Sequence, residues 1–280
     1  IKHYNEKNGW GTASLVNDGS DQLKIIGRIF IENTTSHFVI LPFHHSSNNK
    51  HSRSNSISHV IFKKNLESSL FHHDYIGKPI KIDKPFIRQR AVNGQPVSLI
   101  VEATAVVDIS IQNSYKRYLK TNDDNIVRDA IRTYYSYVFA GVNEKYQRTL
   151  ENDPDLKIAI KLTNILILSN PSDLEWADSK VNALPGLTRN DDGKEIINGT
   201  SSLDRLAQYM NNQKFSFEFD VAVVVFDKDV KDSANDDYAG LAYTSGVCQN
   251  TKYSINEDDL SFGSIYVRFK KKEKKCLKMI

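Results

Sequence analysis

Cysteine is nearly missing from this chain: 280 residues hold two, Cys248 and Cys276. That excludes a disulfide-rich scaffold and any zinc module built on several thiolates. Histidine is present but confined. All eight (His3, His37, His44, His45, His51, His59, His72 and His73) lie in the first segment. No apolar run approaches the ~20 residues that a helix needs to cross a bilayer, so a membrane is not expected as a partner. No charged-then-apolar leader precedes Ile1, which is expected of a processed chain or of a fragment. General basic character is lacking too. The net charge is +3, but residues 268–280 hold seven basic residues and one acidic, a net +6, so the rest sums to −3. Nucleic-acid binding therefore has weak support. The basic tail reads as a solvated, disordered end.

What is present is ordinary for a soluble globular protein: 40% hydrophobic and 25% charged residues. The first 96 residues look unlike the remainder. Leu23–Ile31 and His37–Pro42 are apolar runs parted by a short polar turn, the pattern of a hairpin. His44 to Ser58 is rich in Ser, Asn, His and Lys and reads as a loop. Pro79, Pro85 and Pro96 space an extended connector. The pairs His44-His45 and His72-His73 have the chemistry to chelate zinc or copper, but their surroundings favour exposed loop residues. Two glycosylation sequons occur, Asn33-Thr34-Thr35 and Asn198-Gly199-Thr200.

From Val97 the pattern changes. Val97 to Ile111 suits a first strand. Asn122-Asp123-Asp124 offers a cap and first-turn negative charge. Ile126, Ala130, Ile131, Tyr134, Val138, Phe139, Val142 and Tyr146 then recur at helical spacing. Leu156–Leu162 and Ile165–Leu168 make a second strand, a long polar loop runs from Asn170 to Gly199, and a second helix starts at Thr200-Ser201-Ser202. Phe219–Asp227 is an uninterrupted β-branched and aromatic run, expected to be a strand buried on both faces. A polar loop from Asp229 to Asp237 leads to a short extended segment, Ala239–Tyr243, whose small residues leave an edge open to an added peptide strand. Strand and helix alternate, which implies an α/β fold with a mixed, mostly parallel sheet flanked by helices. The expected organisation is a β-rich segment 1–78, a linker 79–96, an α/β domain 97–267 and the tail 268–280.

Asp220, the apolar run after it, Ala239-Gly240-Leu241-Ala242-Tyr243 and Cys248 resemble the approach to the active site in the adamalysin (reprolysin, ADAM-like) zinc metalloproteinases. Among these they look most like the secreted arthropod versions, including those of parasitoid-wasp venoms. The resemblance implies a metzincin-like N-terminal subdomain over about residues 97 to 267, preceded by the remnant of a pro-domain released near Arg88-Gln89-Arg90. It implies Gly240, Leu241 and Ala242 as the strand along which a protein or peptide substrate lies, and Glu102 and Asp220 as holders of a structural calcium. It also implies a disulfide from Cys248 to a later cysteine, and a secreted, monomeric, glycosylated zinc endopeptidase.

The chain departs from that family where the chemistry belongs. Zinc there is held by His-Glu-x-x-His on a helix with a third histidine beyond, yet no histidine follows His73. After Phe262–Val267 the sequence runs Arg268-Phe269-Lys270-Lys271-Lys272. The polypeptide is therefore expected to be inactive as it stands, a truncated or partial protease. A different class is suggested by Asp108-Ile109-Ser110-Ile111-Gln112, which resembles the Asp-x-Ser-x-Ser magnesium motif of von Willebrand A-type adhesion modules, with Gln112 in place of the second serine. A non-catalytic binding protein is the third reading.

Overall fold

The computed structural model describes residues 2–5, 11–17, 23–30, 36–43, 58–65, 76–79, 96–178, 184–190, 193–233, 238–244, 246–258 and 278–279. The chain divides into two compact units, Ile1–His72 with Gln112–Ala140 and His73–Ile111 with Gly141–Ile280.

The first unit carries a five-stranded antiparallel sheet in sequence order, β1 (Lys2–Asn5), β2 (Gly11–Asn17), β3 (Leu23–Phe30), β4 (Ser36–Phe43) and β5 (Ser58–Asn65). The expected hairpin is β3 and β4, paired through Gly27 with Ile40 and Phe30 with His37. Alternation turns Ile26 inward, while Ile29, three residues on and therefore on the other face, reaches solvent. His59 is structural: its Nε2 accepts the Ile25 backbone N–H at 2.9 Å.

Two helices lie between residues 109 and 149. Helix α1 (Ile109–Leu119) begins where the sequence suggested that the first strand continued. The strand stops because the Asp108 carboxylate accepts the N–H and the hydroxyl of Ser110 and so caps the first turn. Helix α2 (Asp124–Thr149) is capped by Asp123, whose Oδ1 accepts from Asn125 N at 2.9 Å. Its buried residues are Val127, Ile131, Tyr134, Tyr135 and Phe139. Ile126, expected on that buried stripe, is 43% exposed.

The second unit is built on a seven-stranded sheet. Its strands are β6 (Ile76–Pro79), β7 (Val97–Val107), β8 (Leu156–Ile167), β10 (Val221–Phe226), β12 (Gly240–Thr244), β13 (Tyr253–Glu257) and β14 (Lys278–Met279). Strands β8, β7, β10 and β13 run parallel in that spatial order, β12 is antiparallel to β13, and β6 lies parallel on the far side of β12. β14 pairs with Leu99 and Ile100 of β7. This is the mixed, mostly parallel α/β sheet that the alternation of elements implied. The two apolar runs expected as the second strand are one strand with a bulge. Register shifts between Ala103 and Thr104 of β7, and Thr163 Oγ1 donates back to the Ala103 carbonyl at 3.2 Å.

Every residue of β10 is buried, as an apolar run in the middle of a parallel sheet requires. The two long loops of the sequence reading hold structure. Pro171–Ala177 is a 3-10 helix with Trp176 buried against Phe226. β9 (Ile196–Asn198) pairs in parallel with β11 (Asp229–Lys231). Both were hidden by short length and polar flanks. Helix α3 (Gly199–Asn212) is capped by Asn198 rather than by the hydroxyls of Thr200 to Ser202, since Asn198 Oδ1 accepts Ser201 N–H at 2.7 Å.

Candidate functional site

Gly240, Leu241 and Ala242 open strand β12. They pair with Asn256, Ile255 and Ser254 of β13, so β13 separates β12 from β10. From the sequence, with Ala239–Tyr243 following the central strand after one loop, β12 is expected directly beside β10. That expectation misses β13 because Ser254 and Asn256 are polar yet buried. Asn256 is satisfied there: its Nδ2 donates to Val224 O at 3.2 Å and to Ser254 Oγ at 3.1 Å. Close approach of β12 to β13 demands glycine at 240. A Cβ there would stand 2.6 Å from Ile255 O and 2.9 Å from Asn256 Oδ1. The outer side of β12 is not bare, because Ala242 pairs with Ile76 and Thr244 with Pro79. A strand from the preceding segment thus occupies the edge on which a peptide would be added.

Glu102 and Asp220 do come together. Asp220 N–H donates to Glu102 O at 2.8 Å, and Asp220 Oδ2 accepts Glu102 N–H at 2.8 Å. Cys248 N–H in turn donates to Asp220 O at 3.0 Å, and its sulfur lies 3.4 Å from Asp220 Oδ1. Cys248 has a positive φ of 64°; Cys276 lies outside the described residues. Beside them, Lys252 Nζ donates to Phe219 O at 2.7 Å and sits 4.0 Å from the Phe219 ring centroid. Burial lowers the Lys252 pKa, with Asp220 and Glu218 opposing that shift. Among the described residues no group of three or more His, Cys, Asp or Glu is placed to hold a metal ion. The residues present do not fit the family's zinc, which needs imidazoles the sequence does not supply after His73.

Asp108, the acid of the adhesion-type motif, is 1% exposed and spent on helix capping. Ser110 Oγ donates to Asp108 and accepts Asp227 N–H at 2.9 Å. Burial raises the Asp108 pKa, against the nearby Lys228 charge and the bonds from Ser110 and Ile109. A carboxylate enclosed in this way is a cap, and the adhesion-module reading is not favoured. Asn198 is likewise a cap, at the rim of an open cavity of about 790 Å³ lined by Thr200, Ser201, Asp204, Arg205, Gln208 and Asp232. Asn33, His44, His45, His72, His73 and Arg88–Arg90 lie outside the described residues. Two contacts of α3 with β12 escaped the sequence reading: Gly199 beneath Leu241 and Asp204 accepting from the Tyr243 hydroxyl. No periodicity signals such pairs.

No family model matches this chain. A protein of Bombyx mori described as "A disintegrin and metalloproteinase with thrombospondin motifs like" is 26% identical over 234 residues, 76% of this chain and 30% of that protein. The similarity is to a metalloproteinase. The chain spans less than a third of that relative's length, so the relative's full activity is not carried across. Among solved structures, metalloproteinase-II from Bacteroides fragilis aligns with a TM-score of 0.42 and 11% identity, over 90% of this chain and 64% of that one. A superposition that loose carries no argument. Among the described residues no helix is long and apolar enough to cross a membrane.

Proposed function

We propose that this polypeptide carries the pro-segment and the substrate-side scaffold of a secreted, adamalysin-type zinc metalloendopeptidase, of the arthropod kind found in parasitoid-wasp venoms. It acts on protein or peptide substrates in the context of a zinc helix, and has no zinc-dependent proteolysis of its own. The observation that carries the reading is β12, a short antiparallel strand at the margin of a mostly parallel sheet that already accepts Ile76–Pro79 as an added strand. Backbone pairing of this type supplies affinity, and the side chains at alternate positions supply selectivity. The residues before β7 thus act as a stand-in for substrate. Calcium at Glu102 and Asp220 would share Asp220 with the Glu102 N–H that it already accepts. A glycan on Asn198 would be joined through Nδ2, leaving Oδ1 to cap α3.

The reading is tested by cutting the chain at a protease site engineered into residues 80–95. A labelled synthetic peptide with the sequence of residues 73–80 is expected to bind the cut chain and not the intact one. Equal binding before and after the cut, or none after it, removes β12 as a peptide-accepting edge. Chelator-sensitive cleavage of casein by the intact polypeptide would contradict the inactivity.

A further inference from the structure

A strand of five residues near the margin of a sheet, with only a four-residue strand outside it, is prone to local opening, because few contacts hold it. A strand that must receive a peptide is better fixed beforehand, since ordering it at the moment of binding subtracts from affinity. β12 is fixed from one side by α3. Leu241 and Tyr243 share a face of the strand, being two residues apart, and both meet the helix. Leu241 packs so tightly on Gly199 that a Cβ at 199 would lie 2.2 Å from Leu241 Cδ1 and 2.7 Å from Val230 Cγ1. Tyr243 donates its phenolic hydrogen to Asp204 Oδ1. The start of α3 is itself anchored, for Asp232 accepts the Thr200 N–H at 2.8 Å and the Thr200 hydroxyl at 2.6 Å.

We propose that Asp204, acting through Tyr243, and Gly199, acting through Leu241, are positioning residues that hold β12 in strand geometry so that its outer edge can take a peptide. The inference rests on the reading of β12 as that edge. The charged acceptor makes the Tyr243 bond stronger than a neutral one, and glycine at 199 permits the contact that keeps the strand from lifting. Their effect is to remove its ordering cost.

Hydrogen exchange on the intact chain, read by mass spectrometry, tests this. Tyr243→Phe keeps the ring and loses the donor. Exchange at Leu241–Tyr243 is expected to quicken about tenfold, as loss of one charge-assisted bond implies, with Val221–Phe226 unchanged. Asp204→Ala should behave as Tyr243→Phe does, and Asp204→Asn, which keeps an acceptor oxygen without the charge, should quicken exchange only about threefold. Unchanged exchange in Tyr243→Phe, loss of protection in β10 and β12 together, or failure of Asp204→Asn to rescue overturns the proposal. The peptide measurement on the cut chain separates the two ideas. Quickened exchange with no peptide binding in any variant leaves the positioning intact and removes the edge reading. Peptide binding with unaltered exchange does the reverse.

Discussion

Asp220 reaches across the strand boundary to Glu102: one carboxylate oxygen accepts the Glu102 N–H at 2.8 Å while its own N–H answers to the Glu102 carbonyl. This reciprocal pair closes the β7–β10 ladder at its lower end. Asp220→Ala would leave a part-buried N–H without its acceptor and is expected to cost about 1–3 kcal/mol in urea unfolding. Asp220→Asn, which keeps an oxygen in place, should lose less. Equal loss in both variants would assign the effect to the charge instead.

Gly240 and Gly141 are expected to respond oppositely to alanine. At Gly240 the new methyl would meet backbone, with Ile255 O at 2.6 Å, and overpacking of this sort costs about 1–3 kcal/mol. At Gly141, inside α2, nothing lies within 4 Å, so the gain in helix propensity should stabilise by roughly 0.5–1 kcal/mol. Thermal unfolding of the two variants decides; a stabilised Gly240→Ala would show that β12 does not press on β13.

Burial holds the Asp108 carboxyl above its ordinary 3.8. The folded state therefore binds the proton more tightly than the unfolded one. The stability contributed is full below the unfolded pKa and is lost as pH rises through the folded value. Asp108→Asn, an equally good cap, removes this loss. Relative to the native chain its stability should rise as pH increases from below 4 toward neutrality. A difference independent of pH would mean that Asp108 does not titrate in that range.

Burial raises four phenols among the described residues, Tyr118, Tyr209, Tyr243 and Tyr253, and two of them furthest. Burial, then the charge and hydrogen bond of Asp173, pushes Tyr209 up to about 12. Burial and Asp204 push Tyr243 up as well. Ultraviolet titration is expected to leave these two protonated while exposed tyrosines ionise near 10. Because the folded values are raised, stability falls as pH climbs from about 10 to 12. Tyr243→Phe should remove one late-ionising group, and its persistence would place the shift elsewhere.

By itself the sequence determined the alternation of the main strands and helices, the burial of Val221–Phe226, the long helix and the lack of a His-Glu-x-x-His. Each is written in local periodicity or in residue type, and periodicity reports which face of an element is apolar. Tertiary structure alone decided who lies beside whom. Tyr253–Glu257 slips between β10 and β12 because Ser254 and Asn256 find partners inside the sheet, which no hydropathy pattern reveals. Asp108 ends a strand and Asn198 starts a helix because their oxygens meet particular amides. Ile76–Pro79 joins the margin of the sheet because a strand edge accepts any backbone that arrives in register, and nothing in four residues announces that it will.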